Sequence, residues 1–242
     1  MDVLWFLRER TKFIRIYYDT CAQPWLETKR KIESEEPPFD NPPYDESGEP
    51  AYLTEWLEAE DGLTVLGRSC ISMLAGSMQL FFRAWERELG IEMKDTLRKR
   101  VFRKGILRGY RVTFEHFTRV PWCNAPSNLE VLEQVTLARN DDQHGGDIAS
   151  IHAEHSRKSR ERFGERLLFV SETDRRMWQH DPQTLGYLFF GTHVVVTRDA
   201  LFTAIQELET LAQWLEPQLI EVRWGEKGRS AYERSLREHS GY

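Results

Sequence analysis

Cysteine is scarce. The three in 242 residues, Cys21, Cys70 and Cys123, stand far apart without C-x-x-C spacing, which points away from a disulfide framework and from a zinc knuckle. A reducing, cytoplasmic setting fits that usage. Long hydrophobic runs are missing too. The greasiest stretch, 185–196, is short and broken by Gly191, Thr192 and His193, and the first residues carry acid and arginine where a signal peptide needs an apolar run. No membrane association is expected. The chain also lacks a glycine-rich loop ahead of a Lys-Ser/Thr pair, G-x-G-x-x-G, H-E-x-x-H and G-x-S-x-G. Common nucleotide-binding, zinc-protease and serine-hydrolase signatures are thereby set aside.

What remains is ample material for a large core, with 40% hydrophobic and 30% charged residues. The net charge of -6 argues weakly against a nucleic-acid partner, but the charge is unevenly spread. From Glu33 to Asp61 there are eleven acids and no lysine or arginine. From Leu97 to Arg119 there are eight cations and one acid, Glu115. An acidic protein can therefore present a basic surface, and Arg98, Lys99, Arg100, Arg103, Lys104, Arg108 and Arg111 are its candidate nucleic-acid-contacting residues. Tyr110, Phe114 and Phe117 are available there to stack on bases. The same cations also suit a plain solvated helix face.

Periodicity predicts a mainly α protein. Leu4, Leu7, Ile14, Tyr17 and Tyr18 recur at helical spacing over the first 32 residues. Five prolines between Pro37 and Pro50 then impose an extended linker. A second helix is written by Leu63, Leu66, Cys70, Ile71, Leu74, Met78, Phe81, Trp85 and Leu89, closing at Gly90. The basic stretch reads as two helical pieces jointed near Gly105. Ser127-Asn128-Leu129-Glu130 reads as a capping box for a helix ending at Gly145-Gly146. Two β-like runs, 167–170 and 192–196, are able to pair as a small β-hairpin. A last amphipathic helix runs from a cap at Thr197 to near Pro217, ahead of a polar tail. The expected organisation is 1–62 as helix plus acidic linker, 63–222 as a helical domain, and 223–242 as tail.

The segment Arg139-Asn140-Asp141-Asp142-Gln143-His144 at the exit of the capped helix carries the chemistry. It resembles the motif of the HEPN superfamily, in which an arginine followed by a polar residue precedes a histidine four to six positions on. Arg111 to His116 and Arg175 to His180 share the bare spacing, but Val112 and Arg176 follow those arginines. The resemblance covers about residues 63 to 221 and implies a four-helix bundle, to which the first 62 residues form an N-terminal helical extension. It further implies a homodimer acting as a metal-independent endoribonuclease, with RNA as substrate and no cofactor. A role in toxin-antitoxin or phage-defence systems, with an antitoxin or other protein partner, is implied in the same way. The rival is a catalytically silent helical interaction module in which the same motif stabilises a dimer or binds a nucleotide or a partner protein.

The residue types suit the reaction. The ribose 2′-hydroxyl is an internal nucleophile, so one group to take its proton and one to protonate the leaving oxygen suffice. His144 is the candidate acid/base, Arg139 the clamp on developing phosphoryl charge, and Asn140 the positioning amide. On an unbroken helix Arg139 and His144 point about 140° apart, at ~100° per residue. Either the helix unwinds near Asp141-Asp142, or facing motifs of two subunits build one composite site. A metal site at His144, Asp147, His152 and His155 is the weaker option, since no thiolate is near and the last two lie among charged residues.

Overall fold

The computed structural model describes residues 2–42, 46, 48–144, 151–180 and 192–239, the side chains of 144, 177–180 and 226–239 excepted. Among them the chain forms eight helices and no strand: α1 (Val3–Glu33), α2 (Leu53–Glu88), α3 (Asp95–Phe102), α4 (Ile106–Thr118), α5 (Leu129–His144), α6 (Arg157–Phe163), α7 (Glu172–His180) and α8 (Arg198–His239). The protein is a mainly helical bundle. It divides into two compact units, one of Met1–Thr11, Leu74–Thr136 and Thr203–Tyr242, the other of Lys12–Met73 and Leu137–Phe202. Segments of α1, α2, α5 and α8 occur in both.

In the first unit the apolar face of α2 meets that of α4. Phe82 lies 4.9 Å from Tyr110 and 6.0 Å from Trp122 between ring centroids, and Tyr110 lies 5.7 Å from Phe114. Offset aromatic contacts of this kind add to burial. Gly105, at φ 116°, separates α3 from α4 as the sequence predicts. Gly109 then lets the Phe102 ring lie against α4, since a Cβ there would come within 2.3 Å of it. Glu86 is buried beneath this joint and accepts from Arg98 and from the Tyr110 hydroxyl.

The start of α5 differs from the predicted capping box. Asn128 is the cap, its Oδ1 accepting from Glu130 N at 3.1 Å. The Ser127 hydroxyl donates to the Glu207 carbonyl at 2.9 Å, and the Glu207 carboxylate accepts from Asn128 N at 2.6 Å. A tertiary carboxylate thus takes the place that sequence spacing assigned to Glu130.

In the second unit α2 begins at Leu53, so the expected boundary at 62 falls inside a helix. Gly62 there gives room for Trp25, whose indole would lie 2.6 Å from a Cβ at that position. The β-like runs form no hairpin among the described residues. They share one bond, Val195 N to Phe169 O at 3.0 Å, while 192–194 pairs with 153–155 through His155 N to Thr192 O and Val194 N to Ala153 O, each 2.8 Å. The residues between 180 and 192 lie outside the described part. Thr197 caps α8 as expected, accepting from Ala200 N at 3.3 Å. α8 runs past Pro217 and bends at Gly225 (φ 64°), so helix occupies much of the stretch expected to be a polar tail.

Although α2 has the length and apolar content of a membrane span, its apolar face from Leu66 to Trp85 is buried by protein.

Candidate functional site

The end of α5 runs without interruption through Asp141 and Asp142 to His144. The unwinding that would let one subunit aim Arg139 and His144 at a single phosphate does not occur. Arg139 is half-buried and donates from Nη1 to Asn140 Oδ1 at 3.1 Å, and Asn140 is exposed. The side chain of His144 and all of Gly145, Gly146 and Asp147 lie outside the described residues.

Two acids in the last turn oppose the helix dipole, and each is taken up by groups outside α5. Asp142 pairs with Arg68 of α2 at 3.0 Å. The same guanidinium donates to the Ile151 carbonyl at 2.6 Å, so one side chain ties residues on both sides of 143–150. Asp141 is buried, accepts from Ser159 Oγ at 3.2 Å and faces His155 Nδ1 at 3.5 Å. Burial pushes its carboxyl upward, but hydrogen bonding from His155 and Ser156 outweighs this and holds it below the usual carboxylate range. Serine, histidine and aspartate therefore meet here without forming a nucleophilic triad. Ser159 donates to the acid instead of the imidazole, and His155 Nε2 is engaged at 2.8 Å by the Phe169 carbonyl.

Of the other histidines weighed as ligands, His152 pairs with Asp61 at 3.3 Å and stacks on His193 with centroids 5.0 Å apart. No group of three potential metal ligands occurs among the described residues. The competing arginines are held locally: Arg111 pairs with Glu115 at 3.2 Å, and Arg175 donates to the Leu168 carbonyl at 3.3 Å.

The basic run belongs to the first unit, whereas the motif residues 139–144 belong to the second. Arg98 and Arg111 are engaged by Glu86 and Glu115. Lys99, Arg100, Arg103, Lys104 and Arg108 are exposed and have no ion-pair partner among the described residues. Tyr110 and Phe114, candidates for base stacking, are 1% and 0% exposed and serve the core instead. Phe117, 48% exposed, keeps its ring available. The acidic segment finds cations on α1: Glu36 accepts from Arg30 at 2.6 Å, and Lys29 pairs with Glu60.

In comparisons with protein families, curated proteins and solved structures, the chain matches none.

Proposed function

We propose that the chain is a HEPN-like, metal-independent endoribonuclease whose site is completed by a second copy of itself. The observation that carries this reading is the unbroken α5. With the helix intact to His144, positions 139 and 144 lie about 140° apart around its axis, so a site joining the two calls for facing motifs that bring an arginine of one copy to the histidine of the other. The engagement of Asp141 and Asp142 supports it further. Their charge is offset by Ser159, His155 and Arg68, so the polar side chains left at this end of the helix, among the described residues, include Arg139, Asn140 and Gln143. In the proposed reaction His144 moves the proton, Arg139 stabilises the charge that grows on the phosphoryl oxygens, and Asn140 positions a phosphate oxygen. Exposed Lys99, Arg100, Arg103, Lys104 and Arg108 would supply sequence-independent attraction for the RNA backbone. A defence or toxin-antitoxin setting, with a neutralising protein partner, belongs to the same proposal.

The rival, a silent interaction module, is favoured by one feature. The Arg139–Asn140 hydrogen bond engages the two groups with each other without a substrate. Purified chain incubated with bulk RNA in EDTA distinguishes the two. The nuclease reading predicts cleavage with 2′,3′-cyclic phosphate and 5′-hydroxyl ends, abolished in His144→Ala with fold and dimer retained. Absence of cleavage by wild type supports the silent module, and cleavage undiminished in the variant overturns the role given to His144.

A further inference from the structure

We infer that the second unit holds a binding site for a small uncharged molecule with an apolar ring and one hydrogen-bonding group, in a cavity lined by α1, α2 and the extended run 195–197. The cavity measures about 310 Å³, at the lower end of the ~300–1,000 Å³ range of ligand pockets and suited to a single-ring molecule. Ala22, Leu26, Leu63, Val195 and Val196 make its walls largely apolar. The β-branched run that forms no hairpin thus has a place in the fold. Gly67 of α2 lets it approach closely, since a Cβ there would lie 2.5 Å from the Val196 carbonyl oxygen.

Two polar groups break the apolar lining. Tyr18 and Thr64 are each 6% exposed, and neither hydroxyl has a hydrogen-bond partner among the described residues. Neither oxygen is among the fully enclosed polar atoms without a partner. Both residues line the cavity. An unpaired hydroxyl in such surroundings is stabilised by a ligand that donates to it or accepts from it. Burial raises the Tyr18 hydroxyl to about 12, which keeps it a neutral donor at physiological pH.

The charges at the wall define what is excluded. Asp19 accepts from Arg198 at 2.7 and 3.0 Å, and Glu60 pairs with Lys29. A charged ligand meets no free counter-charge there and would be desolvated without compensation.

The test is calorimetric titration of the full chain with p-cresol, toluene and p-toluate. Saturable one-to-one binding of p-cresol is expected, with toluene about five-fold weaker, the worth of one net hydrogen bond, and p-toluate weaker by about ten-fold or more. The double variant Tyr18→Phe, Thr64→Val should bind both neutral probes alike. Ala22→Met should fill the cavity and abolish binding; if that variant does not fold, Leu26→Trp at the exposed rim takes its place. No saturable binding of p-cresol to the folded wild type, undiminished binding by the filled cavity, or preference for p-toluate would overturn the inference.

Discussion

Replacing Asp141 by alanine probes the anchoring of the motif helix directly. The carboxylate is 9% exposed, accepts from Ser159 and faces the buried His155 ring. A hydrogen bond to a charged group contributes ~1.5–3 kcal/mol net, and a buried partner left without its bond costs a further ~1–3. Ser159 keeps one contact, to Ser156 Oγ at 2.8 Å, so the loss falls mainly on the carboxylate bond. A total of about 1.5–3 kcal/mol follows, the worth of the carboxylate bond. The pH dependence has a definite sign. The folded carboxyl lies below its ordinary value, so its stabilisation is present above the unfolded value near ~3.9 and is lost as pH falls through the folded one. Urea denaturation of wild type and Asp141→Ala at pH 7, 5 and 3 reads both quantities, with the gap wide at pH 7 and pH 5 and narrowing at pH 3. A gap below about 0.5 kcal/mol at pH 7, the ordinary effect of a surface change, or one that widens toward acid, refutes the anchoring.

Gly67→Ala separates helix propensity from packing. Propensity alone gains about 1 kcal/mol, whereas a Cβ 2.5 Å from the Val196 carbonyl should destabilise by ~1–3 kcal/mol; a stabilised variant in urea melts would contradict the close approach. For the basic run, Lys99→Ala, Arg100→Ala and Arg103→Ala combined should weaken binding of single-stranded RNA across sequences. Each lost phosphate contact should flatten the salt dependence by ~0.7 in log-log slope, and an unchanged slope would return this surface to a solvated face.

The periodic signals carried most of the helical architecture. The apolar positions Leu66, Cys70, Ile71, Leu74, Met78 and Trp85 of α2 are all buried, because a 3.6-residue repeat records which side of a helix meets the core. What the sequence hid depended on partners distant in the chain. Ser127 loses its capping role to Asn128 because Glu207, about eighty residues on, bonds both neighbours of that turn. Tyr110 and Phe114 look like stacking platforms when α4 is read alone, and only the arrival of Phe82 and Trp122 makes them core. At the candidate site the missed residues are Arg68 and Ser159, and His155, weighed as a metal ligand, faces Asp141 instead. One clue to them existed, since two adjacent acids in a last helical turn oppose the dipole and require cationic or hydrogen-bonding neighbours. Which neighbours answer that need is a tertiary fact. Arg68 stands alone in an apolar stretch, and His155 lies in a charged run where imidazoles usually meet solvent.

Subunit mixing tests the composite site most directly. Arg139→Ala and His144→Ala, each inactive alone, are unfolded together, refolded and assayed for RNA cleavage in EDTA. A site built across two copies predicts that mixed dimers recover activity, to about a quarter of wild type if half the dimers are mixed and each holds one of two intact arginine–histidine pairs. A mixture as inactive as its parents, or a chain that sediments as a monomer while cleaving RNA, contradicts the account.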